Sequence, residues 1–308
     1  MSRTPRFARV AAALGAATIA LTLAACTPAA ETTSEFVTDG KLTIGTGQPA
    51  YYPWVIDDAP ESGEGFEAAI AYAVADQLGF AKDDVVWVRT TFDEAIAPGP
   101  KNFDFNLQQY SITDERKQNV DFSSPYYETT QVVITTGASK AASAKSIADL
   151  KGLLIGAATG TTSFDAIEQL IAPTTGAQAF NSNDDAKLAL ESGTVDAIVV
   201  DLPTAFYLTG VELTDGIIVG QLPLADGKSG DEFGLVLAKG SPLTAKVTAA
   251  VDALRDNGTL AEIAATGAPQ LKVRLGTLLE ALDDEKQDRF ERGWAILQKD
   301  KPKAHDEH

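Results

Sequence analysis

The order of apolar and polar positions divides this chain into an apolar leader, a patternless stretch and a long patterned body. An apolar run over 10–23 follows Arg3, Arg6 and Arg9. Residues 27–34 (TPAAETTS) are small, polar and without period, the composition of a flexible tether. In the body, 41–44 (KLTI) predicts a strand that runs into Gly45-Thr46-Gly47. Residues 66–79 keep apolar side chains at helical spacing and stop at a glycine, which predicts a helix. Residues 85–88 read as a strand, 103–107 alternate like another, and 131–136 are strand-like. A short capped helix is expected over 146–150. From there the pattern becomes strand, helix, strand: strands over 153–157, near 179–180 and over 197–200, with helices over 163–171 and 184–192. Such alternation predicts a parallel α/β sheet. A strand over 233–237 and a helix over 243–256, closing at Asn257-Gly258, complete the body. Residues 278–297 then read as one charged helix with a single apolar stripe, and 299–308 as a polar tail.

The leader has the layout of a secretory signal: a positive start, a short apolar run and small residues at the cut. Leu23-Ala24-Ala25-Cys26 makes it resemble a bacterial lipoprotein signal, in which the cysteine takes a diacylglycerol and becomes residue one after cleavage. A membrane span needs about 20 apolar residues, more than 10–23 supplies. The expected protein is therefore extracytoplasmic, held to the membrane by a lipid on Cys26. That uses the only cysteine and leaves none for a disulfide, a metal or a thiol nucleophile.

With 44% apolar residues, the chain after Cys26 is long enough for roughly two domains of about 150 residues each. Removing the three arginines of 1–25 takes the formal charge from −18 to −21, a field that repels nucleic acid. The only histidines, His305 and His308, lie in the tail, which argues against histidine-based catalysis or metal ligation. No cofactor or metal is expected.

Three polar features fall where open α/β sheets bind ligands, at the carboxyl ends of strands. Thr159-Gly160-Thr161-Thr162-Ser163 joins a predicted strand to a helix, so it is either a plain cap or an anion site of free N–H groups. In Gln108-Gln109-Tyr110-Ser111-Ile112-Thr113-Asp114-Glu115-Arg116, Thr113 is placed to cap a helix. That puts Arg116 in a first turn, where the helix dipole disfavours a cation. Arg116 then pairs with a nearby acid or grips an anion with two parallel bonds. Asp201 ends a buried strand just before Leu202-Pro203 and needs a cap toward Thr204 or a cation. Together the three match the two ends of an α-amino acid.

These segments make the chain similar to the polar amino-acid family of extracellular solute-binding proteins that serve ABC importers. The resemblance is carried by Gly65-Phe66-Glu67, 111–116 (SITDER), 120–127 (VDFSSPYY), 148–152 (ADLKG), Gly160-Thr161-Thr162, Val195-Asp196-Ala197 and Asp201-Leu202-Pro203, over about residues 36–268. It implies an α/β, two-lobed type II periplasmic-binding-protein-like fold. Lobe 1 would comprise 36–130 and 231–268, and lobe 2 133–223, joined by crossover hinge strands near 128–132 and 224–233. Residues 26–35 would be tether, and 269–308 a helical extension and tail outside the resemblance. Carried over by motif, Arg116 and Thr161 would hold the ligand α-carboxylate, Ser111 and Thr162 would assist, and Asp201 would take the α-ammonium. Tyr51 and Phe92 stand where the family sandwiches the ligand side chain between rings. Gln108 and Gln109 replace the small residues usual there, and Gln48 replaces an aspartate found in some binders of cationic amino acids. The implied protein is a monomeric receptor that delivers a free polar amino acid to a membrane permease and does no chemistry. The rival is a cleft enzyme of the same fold, resembling cyclohexadienyl dehydratase.

Overall fold

The computed structural model describes residues 34–224 and 230–264. The signal, Cys26, most of the tether and the extension 269–308 lie outside the described residues.

Two five-stranded sheets carry the fold. The first joins β1 (Leu42–Gly47), β2 (Val85–Thr90), β3 (Phe105–Leu107), β4 (Val120–Phe122) and β12 (Val236–Ala238) in the order β2-β1-β3-β12-β4. The second joins β6 (Gln131–Thr136), β7 (Ile155–Ala158), β8 (Gln178–Phe180), β9 (Ala197–Asp201) and β10 (Gly216–Gln221) in the order β10-β6-β9-β7-β8. Between them β5 (Tyr127–Thr129) pairs antiparallel with β11 (Asp231–Phe233). The helices are α1 (Phe66–Gln77), α2 (Phe92–Ile96), α3 (Ile147–Leu150), α4 (Thr162–Ala166), α5 (Asn183–Glu191), α6 (Leu202–Tyr207) and α7 (Thr244–Asp256).

The parallel pairing expected of the strands that alternate with helices is found among β7, β8 and β9, while each sheet as a whole is mixed. β7 runs parallel to β8 and β9, but β6 runs antiparallel to β9 and β10. β12 likewise opposes β3 and β4. β6 and β12 are the strands fed by the two connections between the sheets, and they enter from the opposite direction. The strand expected over 233–237 is two strands, broken at Gly234, where a Cβ would lie 2.8 Å from Ile112. The break lets the chain leave the β5 partnership and join the first sheet.

The second sheet explains its own apolar runs. Val132, Ile134, Ile198 and Val200 face one core with α5 and α6, while Val133, Ile155, Ala157, Ala197 and Val199 face another. A strand covered on both faces has no polar alternation to show. In the first lobe, α1 and α7 pack on Leu42, Ile44, Phe105 and Leu237. There Trp54, Tyr127 and Phe233 form a ring cluster with centroids 5.2–5.8 Å apart beside the connecting strands.

The helix expected after Thr113 is a single 3-10 turn, Arg116–Gln118, because β4 begins at Val120. Thr113 Oγ1 does accept the Arg116 N–H at 3.1 Å, but the N-cap position of the 3-10 turn falls on Glu115, whose side chain makes no capping bond, so Thr113 closes the preceding turn rather than capping a helix. α6 went unread in the sequence; Pro203 in its first turn is a helix-start signal.

Candidate functional site

The carboxyl ends of β1 and β3 in one lobe face those of β7 and β9 in the other across a cavity of about 110 Å³. That is room for a small molecule. Its walls include Tyr51, Phe92, Gln108, Gln109, Ser111, Arg116, Thr161, Thr162 and Asp201, so every residue expected at the ligand site lines one space.

Arg116 is 8% exposed and clamped from three sides. Its Nη1 donates to Ser111 O and its Nη2 to Gly160 O of the other lobe, each at 2.7 Å. The guanidinium carbon lies 5.2 Å from the Phe92 ring centroid, and Phe92 in turn packs on Tyr110 at 4.8 Å. Phe92 thus serves as a platform for the cation. Burial lowers the guanidinium's pKa from its usual value, with Asp165, Asp201 and Asp231 pulling the other way.

Thr161 is the N-cap of α4: its Oγ1 accepts from Phe164 N at 3.2 Å and donates to Ala158 O at 2.6 Å. Its hydroxyl is therefore committed, and what this turn can offer an anion is the main-chain N–H groups that a helix start leaves unsatisfied. Thr162 Oγ1 lies 3.2 Å from Ser111 Oγ across the lobes.

Asp201 stands at the N-cap position of α6, yet its side chain makes no capping bond. The cap toward Thr204 is thereby set aside. Its Oδ1 instead accepts from Gln131 Nε2 at 2.8 Å. Burial, then the nearby charge of Asp231, pushes its carboxyl up to about 7.

The two glutamines are less free than their sequence position suggests. Gln109 has φ +53°, a left-handed conformation. It is held by Glu67, which accepts from Gln109 N at 2.8 Å, from Gln109 Nε2 at 2.5 Å and from the Tyr126 hydroxyl. Gln108 Oε1 accepts from Tyr110 at 2.9 Å, and a Cβ on Gly47 would overlap its amide. Gln108 Nε2 and Gln109 Oε1 are what remain for a ligand. Tyr51 sits in a loop held by Arg89, which donates to Gly47 O at 2.8 Å and to Asp58 Oδ1 at 2.5 Å. Its phenol faces Ser182 and Asp184 of the other lobe, and burial with the Asp184 charge raises its pKa well above the usual range.

Sequence reasoning gave no site role to Glu67, which holds Gln109, to Gln131, which holds Asp201, or to the cavity wall Asn181-Ser182-Asn183. The wall was within reach, being a polar triplet directly after the strand at 179–180. Among the described residues no group of three His, Cys, Asp or Glu could hold a metal, and no helix is long and apolar enough to cross a membrane.

Residues 42–266 match the family of bacterial extracellular solute-binding proteins, family 3, and the chain belongs to it. It is 33% identical over 237 residues to the L-arginine-binding protein of Pseudomonas aeruginosa PAO1, covering 74% of this chain and 88% of that one. It is 29% identical over 234 residues to the ABC transporter arginine-binding protein 1 of Escherichia coli K12, covering 75% and 91%. An ancestral arginine-binding protein bound to glutamine superimposes with a TM-score of 0.61 at 31% identity, covering 73% of this chain and 96% of that one. The fold is the two-lobed type II fold of these amino-acid-binding proteins.

Proposed function

We propose that this protein captures one free α-amino acid between its lobes and delivers it to the permease of an ABC importer, anchored through a lipid on Cys26. The observation that carries the reading is the pairing of Arg116 with Asp201 on opposite walls of one small cavity. A carboxylate on the guanidinium and an ammonium on Asp201 account for both ends of a zwitterion. Binding alone does the work, with no covalent step.

The side chain that fits is polar and uncharged, or weakly basic. Gln48, Gln108, Gln109, Asn181 and Asn183 surround the rest of the space with neutral amides, and Arg116 is the only cation among the lining residues described. A ligand side-chain carboxylate would have no second cation to meet. Thermal-shift screening of the proteinogenic amino acids, followed by calorimetry, tests this. A neutral or weakly basic amino acid should bind best; preference for glutamate or aspartate, or no binding of any amino acid, overturns it. For the anchor, Cys26→Ser should move the protein from the detergent phase to the aqueous phase in a partition assay.

A further inference from the structure

One amide is wedged between two acids beside the cavity. Gln131 opens β6 and lies opposite Asp201 in the β6–β9 ladder. Asp231 opens β11 and lies opposite Thr129 of β5. Gln131 Nε2 is 2.8 Å from Asp201 Oδ1, 2.8 Å from Asp231 Oδ2 and 3.2 Å from Thr162 Oγ1, while its Oε1 accepts from Ser163 Oγ at 2.6 Å. The carboxylate oxygens of Asp201 and Asp231 can only accept, so they fix the NH2 end of the amide toward themselves, and the Ser163 hydroxyl, able to donate or accept, donates to the other end. The nitrogen has two hydrogens, and two carboxylates converge on it.

Like charges held this close disfavour double ionisation. The charged and titratable groups that act on Asp201 come from four elements: Asp231 on β11, Glu67 on α1, Tyr127 on β5 and Arg116 on its 3-10 turn. Arg116 and the Gln131 N–H favour the ionised form, and burial with the other acids opposes it.

Resting on the assignment of the ligand ammonium to Asp201, we infer that Gln131 and Asp231 are positioning residues that set the proton occupancy of Asp201, so that capture of an amino acid releases a proton. The Asp201 carboxylic acid meets the ligand –NH3+, becomes a carboxylate in contact with it, and the proton goes to bulk solvent. Acid therefore weakens binding. With Asp201 near 7, affinity falls roughly tenfold from pH 8 to pH 6, and about half a proton leaves per binding event at pH 7.

The test uses the full chain and whichever proteinogenic L-amino acid gives the largest thermal shift. Calorimetry at pH 7 in phosphate and in Tris, whose ionisation heats differ, counts the protons released, and a pH 6–8 series gives the affinity profile. Asp231→Asn removes the like charge and should lower the midpoint; a shift of one unit cuts the tenfold loss to about twofold. Gln131→Met removes the donor and should raise the midpoint. A merely structural role would weaken both variants equally at every pH. Asp201→Asn should abolish proton release. Wild type that binds with no buffer dependence, while Asp201→Asn binds weakly, overturns this inference alone. Full affinity in Asp201→Asn overturns the ammonium assignment beneath it, and the absence of any binding amino acid overturns both.

Discussion

Arg116→Ala separates recognition from architecture, because the guanidinium has five N–H groups and the protein uses two. Those two go to Ser111 O and Gly160 O, and three are left for a carboxylate. Charged hydrogen bonds contribute about 1.5–3 kcal/mol each, so losing a two-bonded carboxylate should cost about 3–6 kcal/mol. That is roughly 10²- to 10⁴-fold in affinity. The architectural cost is smaller: truncation opens the site, and water can reach both carbonyls. An effect near 1–2 kcal/mol on the fold would lower the melting temperature by roughly 2–8 °C. Arg116→Lys keeps the charge without the fork and should fall between wild type and alanine. The assay is calorimetry at a temperature where circular dichroism shows each variant folded. A folded Arg116→Ala that binds within threefold of wild type would remove Arg116 from recognition.

Glu67 carries a pH signature. Burial pushes its carboxyl up to about 7, above the unfolded value near 4.3, so the native state holds the proton longer. The penalty of ionising it grows as pH rises from about 4 to 7, at most about 4 kcal/mol. Glu67→Gln should flatten that part of the stability curve in urea titrations, and an unchanged slope refutes the assignment. Gln109→Gly should relieve its φ of +53° by about 1–2 kcal/mol, but it gives back about 0.4–1 kcal/mol through the freer unfolded chain and loses a charged bond to Glu67 of about 1.5–3 kcal/mol. Net destabilisation is expected, and a higher melting temperature would contradict it. A ligand at 100 times its Kd should stabilise the fold by about 2.7 kcal/mol and reduce the radius of gyration in solution scattering; stabilisation without compaction would sink closure as the mechanism.

The fold was legible where one element does one job. Residues 66–79 read as a helix because Phe66, Ile70 and Val74 fall on one buried face. Residues 197–200 read as a strand because both faces are covered. The break at Gly234 and the turn at Arg116 were not legible, since each is decided by what lies next to it in space: Ile112 in the first case, β4 in the second. The site divides the same way. Arg116 and Asp201 announce themselves as charges at places a fold alone would not put them. Gln131 does not, because a single glutamine at the start of QVVITT looks like a solvent-facing strand end. Glu67 reads as an ordinary first-turn acid, and its burial follows only from Gln109 and Tyr126 arriving from distant segments.

Selectivity in such a cleft follows from the valences its own contacts leave over. Arg116 already ties Ser111 to Gly160 across the lobes, Asp201 already accepts from Gln131, and Thr161 already donates to Ala158. A ligand that took the Arg116 N–H from Gly160 O would exchange one bond between lobes for another and gain little from closure. One that approaches the unused guanidinium edge adds a bond while the lobe-to-lobe contact persists. Only such additions discriminate the closed form from the open one, and only that difference can shift the equilibrium between them. Arg116 therefore matters less as a charge than as a fork with two prongs engaged and three free. Lysine has three donors to arginine's five, so holding both carbonyls would leave it one for the ligand in place of a two-bonded grip.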